Sequence, residues 1–171
     1  LKLMNRKVTK REILAVVSRI RRRVPRAALR TTFIVGFPTE TRDEFVELCG
    51  FVKKSKFDKA GAFKYSQEEG TKAALLKGQI EDSEKERRYD ILMSLQKNIS
   101  ESLLRKRRGK TVSVMVDEKK KDGVYICRTM WDAPDVDGVF FLNSKRALKT
   151  GDIVKARVTD TLEYDLSGEL E

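Results

Sequence analysis

The residues able to do chemistry in this chain form a short set. Histidine is absent from all 171 residues, which removes triads built on His and most zinc sites. Cys49 and Cys127 stand far apart, match no disulfide or zinc spacing, and read as reduced core residues. What remains is a loop, "VGFPTET" (Val35 to Thr41), directly after an apolar run. Gly36 lets the backbone turn tightly or lets a ligand come close, Pro38 stiffens the turn, and the helix that follows offers unpaired amides. A second loop, "KYSQEEGT" (Lys64 to Thr71), follows the next apolar run. In α/β folds ligands bind outside the carboxyl ends of parallel strands, so two such loops on one rim suit a bound small molecule as well as a pair of structural turns.

A third cluster, "WDAPDVDG" (Trp131 to Gly138), gathers Asp132, Asp135 and Asp137. Its spacing is not that of an EF-hand. It reads either as a polar hairpin loop or as an acidic surface for a basic partner. "RRR" at 21–23 with Arg26 and Arg30 is either a nucleic-acid patch or a solvated helix end whose cations favour the dipole. Gly109-Lys110-Thr111 lacks the upstream glycine of a phosphate loop, since Leu104 stands there, and the sequon Asn98-Ile99-Ser100 falls within a predicted helix.

Charge is uneven along the chain. The formal balance is +11, yet residues 1–30 hold eleven Lys or Arg against one acid, Glu12, while residues 109–171 hold ten basic and twelve acidic residues. The front is strongly basic and the back mildly acidic, whereas a generic RNA-binding barrel should be basic. No segment approaches a membrane span or reads as a signal peptide, and a cytoplasmic location is expected.

Three capping boxes mark predicted helix starts: Thr9 with Glu12, Thr41 with Glu44, and Ser83 with Glu86. Helical stripes follow each: Ile13, Val16 or Val17, and Ile20; then Phe45, Leu48 and Val52; then Leu92, Leu95, Ile99 and Leu103. The apolar runs Leu29 to Val35 and Ala60 to Tyr65 lie between them and read as strands of parallel βα units. Two such strands are few for a layer buried on both faces, so a preceding part of a larger α/β domain is expected. From Lys110 the period becomes two. "TVSVMV" and "TLEYDLSGELE", with runs at 124–129, 139–142 and 153–158, predict about five strands of a small antiparallel barrel or sandwich, with the OB-like barrel the natural candidate.

Taken together these residues resemble the radical S-adenosylmethionine methylthiotransferases, over nearly the whole chain. "LRTTFIVGFPTET" is similar to that family's strand and "GFPGET" loop, and "FDKAGAFKYSQEEGT" to its following strand with "YSPEEGT". "ERRYDILMSLQKNIS" resembles its linker into a TRAM domain, and "DAPDVDG" resembles the "DAPEIDG" of the branch that modifies an aspartate of a small-subunit ribosomal protein. The tRNA-modifying branch usually carries "YSPRPGT", with Arg where this chain has Glu68. Thr39 replaces the signature's glycine, and Gln67 and Lys72 replace prolines.

The resemblance implies an α/β part at 1–82, made of the C-terminal βα units of a partial TIM-like radical-SAM barrel. A linker helix at 83–108 and an all-β five-stranded OB-like TRAM barrel at 109–171 would follow. Ile34, Gly36, Phe37 and Pro38 would lie along the adenosyl part of S-adenosylmethionine, Glu40 would orient the loop, and Tyr65 and Ser66 would border the adenine. Trp131, Asp132, Asp135 and Asp137 would dock a basic ribosomal protein, with the ribosome a further partner, tRNA a less favoured one, and no membrane. None of these residues is catalytic or binds metal. The two 4Fe-4S clusters of the parent enzyme would be held by cysteines outside this chain, leaving the isolated fragment inactive. The rival readings are a tRNA methylthiotransferase, and a non-enzymatic OB-like RNA- or ribosome-binding module.

Overall fold

Side-chain bonding to backbone amides sets the helix starts. A computed structural model describes residues 1–171, which fall into two compact units, Leu1–Gln96 and Lys97–Glu171. In the first unit, helix α1 (Lys10–Arg23) is entered through the expected box: Glu12 N donates to Thr9 Oγ1 at 3.3 Å, and Thr9 N donates to Glu12 Oε2 at 2.7 Å. Helix α2 (Arg42–Ser55) repeats it, with Glu44 N to Thr41 Oγ1 at 3.2 Å and Thr41 N to Glu44 Oε2 at 2.7 Å. These hydrogen bonds hold both carboxyls below their ordinary range.

The third box does not form. Helix α3 (Asp82–Arg105) begins one residue before Ser83, its early amides on Glu84 and Lys85 donate to the Glu81 carbonyl at 3.0 Å, and the Glu86 carboxylate instead pairs with Lys64. Ser83 therefore lies inside the first turn. The buried line of α3 also runs one step round from the apolar stripe: Lys85, Arg88, Leu92, Gln96, Ser100 and Leu104 are buried, while Leu95, Ile99 and Leu103 are half-buried. Polar residues can occupy that line because they are bonded there; Gln96 Nε2, for example, donates to the Phe57 carbonyl at 3.0 Å.

Strands β1 (Arg30–Val35) and β2 (Lys59–Lys64) pair in parallel, from Arg30 opposite Lys59 to Val35 opposite Lys64. Phe33, Phe51 and Phe57 meet with ring centroids 6.0 to 6.3 Å apart, a cluster in which each aromatic pair adds about 0.5–1.5 kcal/mol beyond area burial. Val35, Phe45, Val52, Ala62 and Leu92 complete this core.

The second unit is a closed barrel of β3 (Thr111–Lys119), β4 (Val124–Thr129), β5 (Phe140–Asn143), β6 (Ile153–Thr161) and β7 (Leu166–Leu170), in the order β3-β4-β5-β7-β6 with β6 returning to β3. It is not wholly antiparallel as expected: β7 runs parallel to β5, because β6 crosses to the far side beside β3 before β7 inserts between β6 and β5. Val112, Val114 and Val116 alternate into a core with Tyr125, Cys127, Phe140, Leu142 and Val158. A Cβ on Gly168 would stand 2.2 Å from the Arg157 carbonyl oxygen, so only glycine allows β7 to approach β6 at the bulge. The last run differs from its predicted alternation. Leu162 and Tyr164 are exposed in the turn closed by Leu162 N to Asp165 O at 2.9 Å, and the strand begins only at Leu166. Cys49, expected in the core, is only half-buried on α2; Cys127 is fully buried.

Candidate functional site

The loop after β1 is built around two left-handed residues, Gly36 (φ +72°) and Thr39 (φ +71°). Gly36 N donates to Glu40 Oε1 at 3.3 Å, and that oxygen receives Arg88 Nη1 at 2.5 Å. The same guanidinium donates to the Glu40 carbonyl at 2.9 Å and, through Nε, to Glu84 Oε1 at 2.7 Å. Arg88 is only 7% exposed, so α3 clamps the loop from behind with a largely buried cation. Hydrogen bonds from Arg87 and then Arg88 pull the Glu84 carboxyl down to about 2. Thr39 N donates to the Gly78 carbonyl at 2.9 Å, which fixes the far side of the loop.

Gly36 is needed for a reason the sequence did not disclose. A Cβ there would sit 2.4 Å from Lys85 Cγ, so the glycine admits a lysine of α3 as well as the turn at φ +72°. On the adjacent strand Tyr65 N donates to the Val35 carbonyl at 2.9 Å, and its ring meets Phe37 edge-on with centroids 5.3 Å apart. The Tyr65 hydroxyl is buried without a hydrogen-bond partner. Lys85 Nζ lies 5.8 Å from the Tyr65 ring centroid and 2.9 Å from Asp82 Oδ1.

A cleft of about 650 Å³ opens beside β1, with Ile34, Phe37, Pro38 and Glu40 among its walls. Ile34 is 43% exposed and presents apolar surface; Pro38 is fully buried. Four of the seven rim residues singled out in the sequence thus share one cleft. Gly36 packs behind it, Tyr65 touches it through Phe37, and Ser66 is exposed and donates to Glu68 Oε1 at 2.7 Å. Arg88, Lys85 and Glu84 were missed. The Glu84–Arg88 spacing of four was visible as a helical ion pair, but nothing local points to Glu40, 48 residues away.

In the barrel loop the three aspartates have different work. Asp132 Oδ2 accepts from Thr129 Oγ1 at 2.5 Å and Thr129 N at 3.2 Å, and Asp137 Oδ2 accepts from Ala133 N at 2.7 Å. Both are half-buried and shape the loop. Asp135 is exposed at φ +58°, flanked by exposed Val136 (68%) and, at the loop's start, Met130 (70%). The Arg107 guanidinium stacks over Trp131, 3.8 Å from the ring centroid, a contact that holds the indole against the segment just after α3. Gly138 is fixed by a neighbour: a Cβ there would fall 2.0 Å from the Tyr164 carbonyl oxygen.

The two cysteines stand apart, one in each unit. Cys49 is half-buried on α2, Cys127 is sealed in the other unit, and burial pushes both thiols up, Cys127 to about 12. No helix is long and apolar enough to cross a membrane.

The family model of the TRAM domain matches residues 109–170, the span of the closed barrel in the second unit. Beyond that barrel, the likeness extends to nearly every residue. The chain is 46% identical over 170 residues to "Ribosomal protein uS12 methylthiotransferase RimO" of Clostridioides difficile (strain 630), covering 99% of this chain and 38% of the relative. Proteins of the same name from Desulforamulus reducens (45% over 172 residues) and Thermoanaerobacter sp. strain X514 (47% over 169 residues) also cover 99% of this chain. The chain is thus similar to the C-terminal part of these methylthiotransferases, and spans 38% or 39% of their length.

Proposed function

We propose that this chain forms one wall of an S-adenosylmethionine pocket and the substrate-docking barrel of a methylthiotransferase acting on ribosomal protein uS12. The observation that carries the reading is the loop Gly36–Glu40, held at the carboxyl end of β1 by the Glu40–Arg88 pair beside exposed Ile34. The residues suit the cofactor. Ile34 and the edge of Phe37 offer apolar contact to an adenosyl group, and the buried Tyr65 hydroxyl has hydrogen-bonding capacity to spare. When bound beside a reduced iron–sulfur cluster, S-adenosylmethionine supplies the radical that takes hydrogen from the target carbon. The cluster ligands belong to other parts of the enzyme, since the two cysteines here do not fit; this chain binds, orients and excludes water. In the barrel, Asp135 with Val136 and Met130 meets the basic ribosomal protein, while Asp132, Asp137 and Trp131 hold the loop that presents it.

The test replaces the corresponding segment of the Clostridioides difficile relative by this chain. The chimera is expected to bind S-adenosylmethionine in equilibrium dialysis and to methylthiolate uS12. Ile34→Asp should weaken cofactor binding at least about tenfold, the effect of placing an unpaired charge against an apolar ligand, with cluster absorbance retained. Asp135→Lys should weaken uS12 capture alone. Unchanged cofactor affinity in the Ile34 variant would overturn the pocket, and modification of tRNA in place of uS12 would overturn the substrate.

A further inference from the structure

One pole of the first unit carries charge that the cofactor rim does not use. Arg21 Nη2 donates to the Lys56 carbonyl at 2.5 Å, so the C-terminal ends of α1 and α2 meet. The parallel register sets Arg30 opposite Lys59 at the starts of β1 and β2, and the short Leu29 N to Asp58 Oδ2 bond (2.9 Å) ties those starts together. This is the end of the strands away from the Gly36 loop. Here α1 finishes on Arg21-Arg22-Arg23, α2 finishes on Lys53-Lys54 and is capped by Lys56, and the intervening loop adds Arg26. With Arg30 and Lys59 these are nine cations against one acid, Asp58, a local balance of +8. Arg22, Arg23, Lys53 and Lys54 are exposed and none has a carboxylate within ion-pair distance.

Helix dipoles favour cations in the last turn at these two C-termini, which accounts for one or two charges per helix and not for the whole set. Self-repulsion within such a pole is relieved by a dense polyanion. The aromatics near it, Phe33, Phe51 and Phe57, pack on one another in the core, so none is offered for stacking on unpaired bases. A surface with charge and no stacking platform suits the backbone of a duplex, read through its phosphates.

We propose that this basic pole binds the phosphate backbone of double-stranded RNA, leaving the rim at the other strand ends free. The surface is argued from its charge alone; the choice of RNA rests on the uS12 reading, because a ribosomal protein is met among RNA helices. The whole chain is titrated with a fluorescent RNA duplex of about 20 base pairs by anisotropy between 50 and 200 mM salt. Steep salt dependence is expected. Arg22→Gln, Arg23→Gln, Lys53→Gln and Lys54→Gln combined should lower the slope of log K against log salt by about three to four and weaken binding at least about tenfold, following the release of about 0.9 counterion per phosphate contact. These exposed positions leave the fold intact, which circular dichroism checks. The control, Lys119→Gln, Lys120→Gln and Lys121→Gln in the barrel, should bind as the unaltered chain does. Equal binding by the quadruple variant, loss of binding in the barrel control, or equal affinity for poly-glutamate would each overturn the proposal. Failure here would leave S-adenosylmethionine binding by the chimera untouched, so the two readings fall separately.

Discussion

Thr39 shows how the surrounding bonds can hold a branched residue in a conformation that favours glycine. The signature that this loop resembles carries glycine at this position, and the threonine stands in the left-handed region that favours glycine, φ +71°. A β-branched side chain in that region costs roughly 1–2 kcal/mol. The loop tolerates it because Thr39 N is bonded to the Gly78 carbonyl and the Glu40–Arg88 pair fixes the next residue. The methyl Cγ2 would lie 3.4 Å from a Cβ on Gly78, so the two positions share little space. Thr39→Gly is therefore expected to stabilise the first unit by about 1 kcal/mol, the relieved strain less the added freedom of the unfolded glycine. Thr39→Ala, still left-handed and with a Cβ, should give no comparable gain. Urea unfolding followed by far-ultraviolet circular dichroism measures both; a destabilised glycine variant would show that the threonine side chain carries weight of its own.

At the scale of elements, helix α3 does more than link. Two capping boxes were legible because their partners lie three residues apart, and the period-two valines of β3 gave the barrel core directly. The start of α3 was misplaced for a physical reason: Glu86 has a better partner in Lys64, on a strand that no local rule connects to it. The rim was legible as a loop but not as a mechanism, since Lys85 beneath Gly36 and Arg88 on Glu40 are tertiary contacts. The first turn of α3 is also acid-sensitive. Glu84 is held at about 2, well below its ordinary 4.5, by Arg87 and then Arg88. A depressed carboxyl stabilises the fold fully above the unfolded value and loses that contribution as pH falls from about 4.5 towards 2. Unfolding titrations of Glu84→Gln and the unaltered chain should thus differ at pH 7 and converge across that window. A difference that stays constant down to pH 2 would detach the ion pairs from the stability of the helix.

Across the whole molecule, the divide falls inside a helix and not at a loop, with the units meeting in sequence at Gln96 and Lys97. The barrel unit contains the last turns of α3, and Leu104 is part of its core together with Val112, Phe140 and Leu148. Arg107 stacks on Trp131 and Arg108 Nε donates to the Thr159 carbonyl at 3.0 Å, so the segment just before the first strand is stitched to the barrel. The family match that begins at residue 109 leaves all three contacts out. A fragment of residues 97–171 should fold with a cooperative transition, whereas residues 109–171 should be less stable by about 2–4 kcal/mol, the usual cost of emptying a buried leucine site plus a lost cation–π contact. Cys127 supplies the readout. Burial pushes its thiol up to about 12 and seals it in the barrel core, so iodoacetamide reaches it only when the barrel opens. Slow labelling in the longer fragment and faster labelling in the shorter one are expected. Equal rates would mean that the barrel closes without the helix, and that α3 belongs functionally to the rim alone.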